Sequence, residues 1–171
     1  MTAAAVVVLA FIVLLVIYVA LAIKIVQQYE QGLIERFGRY RKTVDPGFHM
    51  IVPFIEKMVK VDMREQVVSF PPQPVITEDN LVVSIDTVIY FQVTDPKAAT
   101  YEISNYISAI EQLTVTTLRN SVGGLDLEEA LTSRDSINAA LRGVLDEATG
   151  KWGVRVNRVE IKAIDPPPSV Q

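Results

Sequence analysis

The chain has 171 residues, half of them hydrophobic, with a net charge of −4 and no cysteine. Without cysteine it has no disulfides, no thiolate chemistry and no cysteine-ligated zinc, and with a net charge of −4 nothing suggests nucleic acid as a partner. The hydrophobic excess is concentrated in residues 1–23, and the remainder suffices for one compact domain or two small subdomains.

Ala3 to Ile23 reads AAAVVVLAFIVLLVIYVALAI, without charge, proline or glycine. At about 1.5 Å per residue this run reaches roughly 31 Å as a helix, the hydrocarbon thickness of a bilayer. Tyr18 lies near its C-terminal end, where interfacial aromatics are favoured. A re-entrant hairpin needs a turn at mid-depth, and no residue here makes one. We expect a single straight transmembrane span, with the anchor at residues 1–25. Ala20-Leu21-Ala22 has the small-x-small pattern of a signal-peptide cleavage site. The run is longer than an ordinary signal-peptide core and no Lys or Arg precedes it, which favours the anchor. Lys24, Arg36, Arg39, Arg41 and Lys42 all follow the span. The positive-inside rule then predicts a single-pass cell-membrane protein, N-terminus outside and domain in the cytoplasm. These basic residues are expected near anionic headgroups.

Gln27 to Tyr40 reads as a first strand, interrupted at Gln31-Gly32 by a bulge or bend. Asp45-Pro46-Gly47 is a turn signal. The uncharged stretch Phe48 to Ile55 follows, closed by Glu56-Lys57. It suits either the core or the membrane interface beside the anchor. Lys57 to Phe70 reads as one or two strands, and Pro71, Pro72 and Pro74 as an extended link. Leu81 to Val93 is the clearest strand. Leu81, Val83, Ile85, Thr87, Ile89, Phe91 and Val93 alternate with Val82, Ser84, Asp86, Val88, Tyr90 and Gln92. Glu78-Asp79-Asn80 turns the chain back onto Gln73–Thr77, which predicts a hairpin.

Beyond Val93 the period changes. Asp95-Pro96 starts a short helix to Glu102. Asn105 to Val122 is a longer one, with Tyr106, Ile110, Leu113 and Thr117 on one stripe and Gly123-Gly124 stopping it. Leu125 to Leu131 is a helical turn. Thr132 or Ser133 caps a helix to Thr149 whose apolar positions are Ile137, Leu141, Val144, Leu145 and Ala148. Val154 to Ile164 is a last strand, with a bulge at Asn157-Arg158. Strands, then helices, then a strand predict an α+β fold. We expect a β-rich membrane-proximal subdomain at 26–93 and an α+β subdomain at 94–165.

A search for chemistry returns little. His49 is the only histidine, with no nucleophile or ligand set around it, and reads as structural. The sequence has no nucleophile elbow, P-loop, dinucleotide fingerprint or zinc-protease motif. Glu128-Glu129 and Asp146-Glu147 read as solvated helix faces. Asp86 sits mid-strand on a face expected to be wet. We expect no catalytic residue, no metal and no cofactor.

The residues nonetheless resemble a family. Glu30-Gln31-Gly32 precedes Glu35-Arg36-Phe37-Gly38-Arg39, and Pro46-Gly47-Phe48-His49 leads to Pro53-Phe54. Asp62, Arg64 and Thr77-Glu78-Asp79-Asn80 come next, then Tyr90-Phe91-Gln92-Val93-Thr94-Asp95-Pro96. Thr117-Leu118-Arg119-Asn120, Gly123, Leu131-Thr132-Ser133-Arg134-Asp135, Leu145-Asp146-Glu147-Ala148 and Trp152-Gly153-Val154 complete the order. Together they resemble the stomatin/prohibitin/flotillin superfamily, called SPFH or band 7, over Gln27 to Gln171. The resemblance is nearest to bacterial stomatin-like proteins.

The resemblance implies a β-rich subdomain near the membrane, an α+β one beyond it, and no enzymatic activity. It implies homo-oligomeric rings or cages that organise membrane microdomains and lipids and regulate membrane proteins, including proteases. A nodulation-efficiency-type membrane protein is an expected partner. A membrane-tethered module binding a lipid or small ligand is the alternative function, and a membrane hydrolase a distant third. In such cages the first subdomain dips into the leaflet, which makes Phe48, Met50, Ile51, Val52, Phe54 and Ile55 the expected membrane contacts. Family members continue into a long charged helix where this sequence has Pro166-Pro167-Pro168-Ser169-Val170-Gln171. Residues 166–171 are therefore expected to begin a C-terminal extension.

Overall fold

The computed structural model describes residues 3–168. Residues 1–2 of the expected anchor and residues 169–171 of the expected extension lie outside the described residues. The chain divides into two compact units, residues 1–63 and 64–171. The division falls after Met63 and not after Val93 as expected, because the strand ending at Val93 pairs with the last strand of the chain.

Unit 1 opens with helix α1, Ala3–Ala22, exposed along its length except at Ala22. Strands β1 (Ile23–Val26), β2 (Glu30–Arg36), β3 (Arg39–Val44), β4 (Gly47–Met50) and β5 (Glu56–Asp62) follow. No linker separates α1 from β1. The expected single strand over 27–40 is instead β2 and the start of β3, joined by a turn at Phe37-Gly38. β2 lies between β3 and β5, antiparallel to both, and β1 pairs with β4 in a separate antiparallel ribbon. Val26, Ile34, Val44 and Ile51 form a small core, with Met58 packed against it.

Gly32 is no bulge. β2 runs straight through it, and the register shift comes later, between Ile34 and Glu35. A Cβ at Gly32 would meet Val44 Cγ2 at 2.8 Å, so close packing accounts for the glycine.

Unit 2 contains β6 (Gln66–Ile76), β7 (Val82–Val93), α2 (Pro96–Tyr101), α3 (Tyr106–Val122), α4 (Leu127–Thr132), α5 (Arg134–Gly150) and β8 (Val154–Asp165). The sheet order is β6-β7-β8, all antiparallel. The alternation on β7 holds: Val83, Ile85, Thr87, Ile89, Phe91 and Val93 are buried, and the other face is half-wet. α5 packs on β8 and on α3, closing the core.

The prolines expected to form a link lie within β6. It is an edge strand, where a missing N–H is tolerated, and the register shifts between Phe70 and Gln73 to absorb them. β8 bulges at Asn157 as expected, and again opposite Asp86/Thr87. Asp86 Oδ1, expected to be wet, is buried without a hydrogen-bond partner, as is Thr87 Oγ1. The outer edge of β8 is capped from α5: Val156 N donates to Asp146 Oδ1 at 3.3 Å, and Ile161 N to Asn138 Oδ1 at 3.0 Å.

The helix stripes differ in phase from the expectation. α3 buries Ile110, Thr114, Leu118 and Val122, not Leu113 and Thr117. Thr114 fits the interior because its hydroxyl donates to Ile110 O at 2.7 Å. α5 buries Ile137, Leu141, Leu145 and Thr149, while Val144 is exposed. Ser133 makes no side-chain cap for α5. The capping box is instead on α4, where Asp126 Oδ1 accepts from Glu129 N and Glu129 Oε2 from Asp126 N.

Candidate membrane-binding site

The site lies in unit 1. Side chains two apart on a strand share a face, and directly paired residues share it across the ladder. Ile23 pairs with Met50 and Ile25 with Phe48, so these four form one face of the β1–β4 ribbon. Their exposures are 37%, 64%, 57% and 62% respectively. A continuous bare apolar face marks an interaction surface, and this one continues the uncharged helix α1. Val26, on the opposite face, is buried in the core.

The second element is a pair of turns. Phe37 (φ 51°) sits between β2 and β3, and Phe54 (φ 69°) between β4 and β5. Positive φ is uncommon outside glycine, and a bulky side chain rarely adopts it. These rings are the barest aromatics of unit 1, 79% and 91% exposed. The turns are joined by Phe37 N donating to Ile55 O at 3.1 Å.

Glu56 organises the base of this tip. Its carboxylate is nearly buried and accepts from Val52 N at 3.1 Å, Arg36 Nε at 3.2 Å and an Arg41 guanidinium nitrogen at 2.5 Å. The bond from Val52 N does most to hold its pKa below the usual carboxylate range. Burial pushes the other way, and the Arg41 hydrogen bond and both arginine charges lower it further.

Of the expected membrane contacts, Phe48, Met50, Phe54 and Ile55 are exposed and Val52 is half-buried. Ile51 is a core residue at 6% exposure, its N–H donating to Ala22 O at 2.9 Å; this corrects its place among the contacts. Of the basic residues, Arg36 and Arg41 are turned onto Glu56, Arg39 and Lys42 are exposed on β3, and Lys24 is half-buried on β1. His49 is half-buried, with Nε2 2.7 Å from Asp45 O, a local tie across the Pro46-Gly47 turn. Among the described residues no group of three or more His, Asp or Glu could hold a metal ion.

The sequence reading missed Ile23, Ile25, Phe37 and Glu56. The Ile-Lys-Ile alternation after the helix was available as a signal, and so was Phe37-Gly38 as a turn. Glu56 gave none, because its arginines come from strands paired only in the fold.

Known proteins are similar along nearly the whole chain. The model of the SPFH domain / Band 7 family matches residues 24–171. An uncharacterized protein of Mycobacterium tuberculosis is 62% identical over 168 residues, 95% of this chain and 44% of that protein. An uncharacterized protein of Methanocaldococcus jannaschii is 47% identical over 150 residues, 88% of this chain and 75% of that protein. A stomatin homolog of Pyrococcus horikoshii is 44% identical over 157 residues, 92% of this chain and 59% of that protein. The chain spans about half the length of the first of these curated relatives. An apolar N-terminal helix long enough to cross a bilayer and relatives of the stomatin type fit association with a membrane. By the extent of its match, the chain belongs to the SPFH domain / Band 7 family.

Proposed function

We propose that this chain is a non-enzymatic membrane scaffold subunit. It is anchored by α1, seated on the bilayer through the β1–β4 ribbon and the two phenylalanine turns, and it assembles with copies of itself into rings or cages. The observation that carries this reading is the unbroken passage from a bare apolar helix into a ribbon whose exposed face is apolar. Anchoring in one plane raises the local concentration of neighbours, and head-to-tail contacts close into rings when the rotation between subunits permits. Such assemblies would organise membrane microdomains and regulate membrane proteins, proteases or a nodulation-efficiency-type partner. The excess of Lys and Arg on the C-terminal flank of α1 supports an outside N-terminus and a cytoplasmic domain.

Light scattering on the full natural chain in mild detergent tests the assembly. Particles of many subunits are expected, and a monomer at all concentrations would overturn the scaffold reading. Single cysteines at Thr2 and Ser169 test the orientation. Labelling of Ser169→Cys by an impermeant reagent in whole cells would invert it.

A further inference from the structure

We propose that the groove between the last turn of α1 and the β4–β5 turn holds one anionic phospholipid. Its phosphate lies between Lys24 and Lys57, and its upper acyl chain runs past Leu21 and Met58, above the buried Ile51 and Pro53. The inference rests on the reading that unit 1 lies at the bilayer surface. The groove measures about 260 Å³ and is lined by those residues together with Phe54 and Glu56. That is smaller than the roughly 300–1,000 Å³ of pockets that enclose a drug-sized ligand. It therefore takes the headgroup and the first methylenes, and the rest of the lipid stays in the leaflet.

Depth, charge and shape agree. Leu21 belongs to the last turn of α1, where a spanning helix leaves the hydrocarbon and meets the headgroups. The one carboxylate in the lining, Glu56, is taken by Arg36, Arg41 and Val52 N. Lys24 and Lys57 both line the groove, and among the described residues neither makes an ion pair, even with Glu35 opposite Lys57 in the β2–β5 ladder. A lipid phosphate would give both lysines a counter-charge and acceptor oxygens. Free phosphate would leave the apolar floor bare, and a zwitterionic lipid would bring a third cation beside the lysines.

The full chain in detergent micelles doped with phosphatidylglycerol or phosphatidylcholine, read by native mass spectrometry, tests this. Unaltered protein should retain phosphatidylglycerol over phosphatidylcholine by about thirtyfold, the scale set by two lysines at a lipid surface. Lys24→Gln with Lys57→Gln should erase the preference while circular dichroism is unchanged. Arg142→Gln with Lys162→Gln, which removes the same charge from exposed positions of unit 2, should leave it intact. Absence of preference in the unaltered protein, or equal loss in the unit 2 variant, would overturn the site. Displacement of the lipid by inorganic phosphate would show a free-anion site and overturn the lipid as its occupant. A chain that inserts into bilayers without lipid preference refutes this inference alone, whereas one that does not insert refutes the membrane reading beneath it.

Discussion

On the inner face of β7, Val83, Ile85, Ile89 and Phe91 are covered completely, with Ile110, Leu118, Leu141 and Leu145 of the helices buried alongside. On the ribbon of unit 1, Ile23, Ile25, Phe48 and Met50 are of the same chemical kind and lie bare. Both units alternate their side chains by the same strand geometry. On the proposed seating of unit 1 at the bilayer, the difference is the medium each face answers to. Unit 2 excludes water with its own helices, whereas lipid would do that work for unit 1, whose internal core is small.

Damage should therefore cost most where the protein itself excludes water. Phe91→Ala is expected to destabilise unit 2 by about 3–5 kcal/mol, from a ring that also meets Tyr106 edge-on at 5.9 Å. Hydrogen exchange on β7 and β8 amides, compared with unit 1 amides in the same sample, measures it. Phe48→Ala, on the bare face, should leave exchange in both units nearly unchanged and weaken only bilayer contact.

Gly32→Ala tests the small core from the opposite direction. The added Cβ meets Val44, Met58 and Val26, and overpacking of this kind costs about 1–3 kcal/mol. Exchange in β2, β3 and β5 should rise while unit 2 keeps its protection. Equal loosening of both units would show that they fold as one, and the comparison would fail.

Glu56 supplies the pH dependence. Its folded pKa is depressed, so its contribution is complete above the usual carboxylate range and is lost as pH falls through that range to the folded value. Glu56→Gln should cost roughly 1–2 kcal/mol at neutral pH and flatten that acid limb, read as unit 1 stability against pH. His49→Ala should cost less than Glu56→Gln, about 0.5–1.5 kcal/mol, since it removes one half-buried hydrogen bond to Asp45 O.

What the sequence made legible was local. The uncharged run of α1, the alternation of β7, the hairpin turn at Glu78–Asn80 and the bulge at Asn157 all rest on neighbours in the chain. β1 was missed because its Ile-Lys-Ile alternation covers only four residues and adjoins α1 without a break, and its pairing with β4 is what makes it a strand. The stripe of α3 was misphased because Thr114 is polar by type, yet it satisfies its hydroxyl within the helix and goes inside. Of the site, the apolar content of Phe48–Ile55 could be read. That Ile51 turns inward while Phe54 turns outward depends on the β4–β5 turn and on Glu56, which no spacing encodes.

The absence of a linker between Ala22 and Ile23 limits how unit 1 can move. A domain on a flexible tether samples height, tilt and spin freely, and each freedom must be surrendered when neighbours meet. Here the shaft is part of the body: Ala22 O is already bonded to Ile51 N. Two copies in one leaflet would meet at a common height, with sliding in the plane and rotation about the shaft as their main remaining freedoms. On the proposed function, most of the orientational search between neighbours would then be completed at insertion, before any pair has touched.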